Sequence, residues 1–255
     1  MLLQIDPQKE EEKTIAFLKE TFAKQNIIKS VIGISGGIDS AVSFALLKKT
    51  IKPENIIVAH MYYFDSKFSG MEQYVIESGI PQINMYHISI KEPIDAIIKL
   101  QNIEKNESNQ VRIGNIAARI RMIVLYDLAK KYHALVCGTE NKSENLLGYF
   151  TRFGDQASDI EPIEHLYKTQ VYQLATYLGL PEAVINQEPS AGLWLGQTDE
   201  GQFGFTYKEA DRVLYLAIEK NLPVEEIEKQ GYPNAKKIIE WRDKNLFKHQ
   251  VPYTL

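Results

Sequence analysis

Apolar and polar residues alternate along this chain with two different periods, and the points where the period switches mark the elements. Between residues 8 and 25, Ile15, Leu18 and Phe22 recur at helical spacing among Lys and Glu, which predicts an amphipathic helix. The next segment, KSVIGISGGIDSAVSFALLKK, is a short β-branched run, a glycine turn and a helical stretch through Ala41, Phe44, Ala45 and Leu47. Three more apolar runs, ENIIVAHMYYF, INMYHISI and ALVCGT, predict strands, with helical patterns at EPIDAIIKLQ and over residues 111–132 between the last two. Strands alternating with helices imply right-handed crossovers and an α/β fold, a parallel sheet covered on both faces.

Residues 140–160, rich in polar residues and glycine, show no clear period and are expected to be an irregular loop at the carboxyl ends of strands, where ligands bind in this fold class. LYKTQVYQLATYLGL predicts a helix closed by Gly179 and Pro181, and QEPSAGLWLGQTDEGQFGF a second long irregular segment. The C-terminal part, from TYKEADRVLYLAIEKNL onward, is helical. Neither an internal repeat nor a separating linker interrupts the chain, so a single domain over residues 1–255 is expected.

Composition narrows the function classes. With 255 residues, 44% hydrophobic and 24% charged, the chain has the profile of a folded globular protein. The net charge of −4 and the lack of a Lys/Arg cluster argue against a nucleic-acid partner. Cys137 is the sole cysteine, which excludes an intrachain disulfide and a thiolate metal site. The first residues, MLLQIDPQKEEEK, do not read as a signal peptide, and no apolar run approaches the ~18 residues of a membrane span; a cytoplasmic address is expected. The five histidines show no metal-ligand spacing.

The candidate chemistry starts at GISGGIDS, residues 33–40. A glycine turn that follows a strand and opens a helix points backbone N–H groups at an anion, and Gly36 and Gly37 permit close approach. There is no GK[ST], so this is not a Walker A loop. Ser35, Asp39 and Ser40 concentrate two hydroxyls and a carboxylate where a phosphate and its Mg²⁺ would sit.

SGGxDS resembles the pyrophosphate loop of the ATP pyrophosphatases, which split ATP between the α- and β-phosphates and pass AMP to an acceptor. Four further blocks are similar to those of ammonia-dependent NAD synthetases, in order and spacing: GNIAARIRM (114–122), GTENKSENLLGYFTRFGD (138–155), DIEPIEHLYKTQV (159–171) and PSAGLWLGQTDE (189–200). The resemblance implies a Rossmann-like, adenine nucleotide alpha hydrolase-like sheet, and amidation of deamido-NAD by ammonia at the expense of ATP, with Mg²⁺ as cofactor. It also implies a homodimer with deamido-NAD bound across the subunit interface. The alternative is another ligase of the same superfamily, tRNA-modifying or GMP-synthetase-like; a nucleotide sensor without turnover is a third reading. A chain with one cysteine in a predicted strand has no room for a glutaminase, so ammonia is the expected nitrogen donor.

By position, the resemblance places ATP on Gly33, Ile34, Ser35, Gly36, Gly37, Ile38, Asp39, Ser40, Thr139, Lys168 and Ser190, with Mg²⁺ on Asp39 and Glu144. It places deamido-NAD on Arg119, Arg152, Asp159 and Lys248. Asp39, Ser40, Asp155 and Lys168 are the expected catalytic groups, Asp155 to attract ammonium and accept its proton. On a helix at roughly 100° per residue, Arg112, Asn115 and Arg119 share one polar face, whereas Arg121 falls on the other side and is expected to make a structural ion pair. Three features depart from the family pattern: Arg152 replaces a Lys, Met61-Tyr62-Tyr63 replaces a Met-Pro, and Phe247-Lys248 stands where a His-Lys pair is usual. Residues 61–68 and 186–205 are candidate lids, and Trp194 and Phe203 either cover the site, pack on a neighbouring subunit or join the core.

Overall fold

The computed structural model describes residues 3–64, 70–190, 194 and 196–254. Helix α1 (Pro7–Gln25) starts where the Asp6 carboxylate accepts the Lys9 N–H, with Pro7 at the position where no N–H is needed, and it stops at Asn26 in the left-handed conformation. There follow β1 (Ser30–Gly33), α2 (Ile38–Thr50), β2 (Ile56–Tyr62), α3 (Met71–Glu77), β3 (Met85–Ser89), α4 (Lys91–Leu100), α5 (Gln110–Tyr132) and β4 (Leu135–Cys137). The strands form one parallel sheet in the order β3-β2-β1-β4, with Ser30 opposite both Ile56 and Leu135. The predicted α/β parallel architecture is therefore present, and α3 is an addition that the sequence pattern did not announce.

Alternate residues of each strand feed two cores, as a period of two requires. Ile32, Val58 and Cys137 face Leu18, Phe44, Val171 and Leu174 on one side. Val31, Ile57, Ala59 and Val136 face Ile94, Ile98, Ala117 and Leu128 on the other. Because α2 is enclosed almost all round, the loop that precedes it is held between buried β1 and a buried helix.

Two segments expected to be irregular contain helices. Within residues 140–160, α6 (Lys142–Leu147) is started by a capping box: Asn141 Oδ1 accepts the Glu144 N–H at 3.0 Å, and Glu144 Oε2 accepts the Asn141 N–H at 3.3 Å. The helices α7 (Lys168–Tyr177) and α8 (Glu182–Ile185) come next. In the second segment α9 (Asp199–Phe203) begins at Thr198, whose hydroxyl accepts the Gly201 N–H. Helix α10 (Tyr207–Leu214) continues into a π-helical turn, Tyr215–Glu219, before α11 (Val224–Lys229) and α12 (Ala235–Asn245). These last helices gather a third core around Tyr167, Phe203, Phe205, Leu214, Ile238 and Trp241, so Phe203 is a core residue.

Candidate active site

The loop after β1 opens a cavity of about 480 Å³ at the carboxyl end of the sheet. Its inner wall is built by the glycine turn. Gly36 has a φ of 93°, a conformation that Cβ-bearing residues avoid. The Gly37 N–H donates to Ser35 Oγ at 3.2 Å and Ser40 Oγ donates to the Gly37 carbonyl at 2.9 Å, which folds the two hydroxyls onto each other. Gly37 caps α2 without a side-chain hydrogen bond, so the helix start keeps backbone donors for an anion.

Three charged side chains from distant segments meet beside this turn. Lys168 Nζ, at the start of α7, donates to Asp39 Oδ2 at 2.5 Å and to Glu144 Oε1 at 3.4 Å, while Asn141 Nδ2 donates to Asp39 Oδ1 at 3.0 Å. Lys168 is only 2% exposed. Burial works against its charge, but Asp39 and Glu144 outweigh it and hold the ammonium protonated. The Glu144 carboxyl is pushed well above the usual range, first by burial and then by the Asp39 charge, with Lys168 opposing. Two carboxylates crowded on one ammonium suit a hard divalent cation such as Mg²⁺, which takes one or two protein carboxylates and fills its shell with phosphate oxygens and water.

Lys168 itself is positioned from the C-terminal helices. Asp211 of α10 accepts the Thr169 N–H at 2.8 Å and the Ser143 hydroxyl at 2.5 Å, and Ser143 Oγ in turn accepts the Lys168 N–H at 2.8 Å. The Tyr207 ring lies under Lys168 Nζ at 5.2 Å, and its hydroxyl donates to Asp199 Oδ2. Gln197, 5% exposed, accepts from Ser190 Oγ and donates to Tyr149 and Asp199. Sequence reasoning assigned no role to Asn141, Gln197, Asp199, Tyr207 or Asp211; for Asn141 a signal was available, the N-x-x-E spacing of a capping box.

The residues expected at ATP divide cleanly from those expected at deamido-NAD. Gly33, Ile34, Ser35, Gly37, Ile38, Asp39, Ser40, Thr139, Glu144, Lys168 and Ser190 line the cavity, as do Asp155 and Trp194. Gly36 shapes the turn without lining it. By contrast Arg119, Arg152, Asp159 and Lys248 do not line the cavity. Arg119 Nε donates to the Arg152 carbonyl at 3.2 Å, and the Arg152 guanidinium stacks on Phe247 at 5.3 Å. Lys248 Nζ donates to the carbonyls of Gly148 and Phe150 at 2.6 and 3.0 Å, closing the end of α6. Asp159 Oδ2 accepts the Val136 N–H at 2.7 Å beside β4, which ties down backbone.

Arg121 requires a correction. It makes no ion pair among the described residues; it turns into the cavity, where Nε reaches the Met61 carbonyl at 3.5 Å. Asp155 lines the same cavity, exposed, with Oδ1 accepting the Thr151 N–H at 2.9 Å. Of the residues 61–68, Met61, Tyr62, Tyr63 and Phe64 line the cavity, and 65–69 lie outside the described residues.

A pair of acids stands behind the wall. A Cβ at Gly138 would sit 1.7 Å from Glu161 Oε1, so only glycine lets that carboxylate accept from Ser158 Oγ while its Oε2 accepts the Glu140 N–H. Burial pushes Glu161 up to about 8, and burial plus the Glu161 charge pushes Glu140 up to about 10. Both folded-state values exceed the unfolded ones, so the stability they contribute is present in acid and is lost as pH rises through about 8 to 10. The unfolding midpoint is expected to fall between about pH 7 and pH 9.5. A Glu140→Gln/Glu161→Gln protein should flatten that slope, and an unchanged slope in thermal scans would reject the assignment.

Comparison with known proteins fits this geometry. A family model described as NAD synthase matches residues 10–252. The NH(3)-dependent NAD(+) synthetase of Fusobacterium nucleatum is 38% identical over 98% of this chain and 96% of its own, and that of Thermoplasma volcanium is 39% identical over 98% of each. Among solved structures, the NH3-dependent NAD synthetase of Campylobacter jejuni superposes with a TM-score of 0.77 at 34% identity, covering 99% of this chain and 100% of that one. The NMN synthetase of Francisella tularensis gives a TM-score of 0.82 at 32% identity over 99% of both. A parallel sheet with the SGGIDS turn at its carboxyl edge, matched nearly end to end by these proteins, makes this chain a member of the NAD synthase family.

Proposed function

We propose that this protein is a ligase that amidates deamido-NAD with ammonia, consuming ATP and releasing AMP and pyrophosphate. The observation that carries the reading is the meeting of Lys168, Asp39 and Glu144 beside a glycine turn whose helix start retains free donors. A carboxylate is a poor acceptor for ammonia, so its oxygen first attacks the α-phosphorus of ATP and pyrophosphate leaves. Ammonia then displaces AMP from the acyl carbon.

Each wall of the cavity has a task in that sequence. The turn, with Ser35 and Ser40, cradles phosphate oxygens, and Lys168 draws the triphosphate toward the loop. Asp39 and Glu144 would hold Mg²⁺, whose chemistry there is neutralisation of phosphate charge. Asp155, exposed on the cavity wall, attracts ammonium and accepts its proton. Ser190, held by Gln197, and Trp194 close the cavity against water, which would hydrolyse the adenylate.

The deamido-NAD residues fit a different arrangement. Arg119 and Arg152 lie together, partly exposed and away from the cavity, which suits a dinucleotide extending across a boundary between two copies of the chain. Lys248 would first release the Gly148 and Phe150 carbonyls. The likeness to the Francisella NMN synthetase favours nicotinate mononucleotide as a second acceptor.

The test is NAD and pyrophosphate formation from ATP, Mg²⁺ and deamido-NAD, with ammonium or glutamine as donor, and with nicotinate mononucleotide in parallel. NAD formed with ammonium supports the reading. Turnover of the mononucleotide alone moves the acceptor, and no pyrophosphate with either rejects ligase chemistry.

A further inference from the structure

Lys168 and Arg121 are the two lysine or arginine side chains that line the cavity among the described residues. Lys168 stands beside the glycine turn with Asp39 and Glu144 as partners, at the phosphate end of the cavity. Arg121 has no carboxylate within 4.0 Å among the described residues. A guanidinium has five N–H donors, and the one bond Arg121 makes among the described residues is the 3.5 Å contact with the Met61 carbonyl. Its neighbours on the cavity side of α5 are Ala118, Met122 and Leu125, which offer no acceptor side chain. Burial disfavours its charge, and the compensating charge is that of Asp155. Yet Arg121 and Asp155 form no ion pair within 4.0 Å, so a gap separates them on the cavity wall. Arg121 is half-buried, and its unmatched donors on the cavity wall are open to an anion that enters there.

We propose that Arg121 binds the carboxylate of the nicotinate ring and then stabilises the oxyanion formed from it when ammonia attacks. This rests on the amidation reading above. Charges of opposite sign, near but unpaired, attract the two reactants that must meet at one carbon: the carboxylate to Arg121, ammonium to Asp155. The glycine turn and Lys168 already serve the phosphates, which leaves the acyl oxygen as the anion without a cation.

The electrons and protons balance as follows. Ammonium gives one proton to Asp155. The nitrogen lone pair forms the C–N bond, and the C=O π pair moves onto oxygen, where the Arg121 fork donates two N–H bonds. Collapse restores C=O and breaks the bond to the AMP oxygen, which leaves with its electron pair. The second proton freed from nitrogen passes to water.

Arg121→Met is expected to lower kcat for NAD formation by about 10²–10³-fold while leaving the ATP dissociation constant within about twofold. Arg121→Lys keeps the charge and loses the fork, and should fall between, which covers the case in which the Met variant fails to fold. Millimolar guanidinium should restore part of the activity of Arg121→Ala, a rescue that a structural role would not give. The proposal is overturned by a Met or Lys variant within threefold of the parent kcat, by an ATP affinity that falls in step with kcat, or by an Ala variant that guanidinium leaves unchanged. Parent enzyme that makes no NAD would instead reject the amidation reading itself.

Discussion

Lys168→Met is expected to reduce pyrophosphate release below detection and to lower the free energy of unfolding by about 3–5 kcal/mol at neutral pH. The ammonium it removes is buried against Asp39 at 2.5 Å and Glu144 at 3.4 Å, so both carboxylates are left in protein without their cation. The pH dependence of the loss separates this cause from a packing defect. With Lys168 gone, the Glu144 carboxyl, already raised by burial, loses the cation that opposes the rise, so the destabilisation is full above its folded-state pKa and fades as pH falls. Urea unfolding at about pH 5.5 and 7.5 checks this; a penalty equal at both would put the effect in packing.

Asp39→Asn and Glu144→Gln should separate stability from activity in opposite ways. Each removes a carboxylate that a divalent cation would need, and each is expected to cost about 10²-fold or more in pyrophosphate release. Glu144→Gln keeps the capping box, because Gln serves at that position as well as Glu, and it removes a charge that burial disfavours. That protein is expected to be as stable as the parent or more so, the signature of a residue kept for function. Asp39→Asn instead takes the partner of both Lys168 and Asn141 and should lose stability. Normal pyrophosphate release by either variant would remove that residue from the site, whatever its melting temperature.

The helices that were legible were those long enough to show a period. Helices α1 and α5 span 19 and 23 residues, enough for several helical turns to register, whereas the strands, down to three residues in β4, showed as short apolar runs between turn signals and helical patterns rather than by a period. The missed helices α6 and α9 have six and five residues, too few for any period, and are specified by their caps, Asn141 and Thr198. The glycine turn was legible because its residues are contiguous. Asp39 and Lys168 are 129 residues apart, and no spacing announces that they touch; the match to family blocks supplied both, and the fold brings them together. Arg121 shows the opposite case. Helical geometry separates it from Arg119 by about 200°, which fixes that the two point apart but not which of them faces the cavity. Reading Arg119 as the functional side made Arg121 structural, whereas the structure turns Arg121 inward.

The grip of Asp211 on the start of α7 has a consequence for how the protein is made. Parallel pairing of β1, β2 and β4 can be complete once residue 137 has left the ribosome, and the glycine turn with it. The hydrogen bonds that fix the Ser143 hydroxyl and the Thr169 N–H cannot form until residue 211 has emerged as well. A nascent chain therefore passes through a stage with a finished glycine turn but an unanchored lysine, and the proposed ATP chemistry can begin only with the last quarter of synthesis.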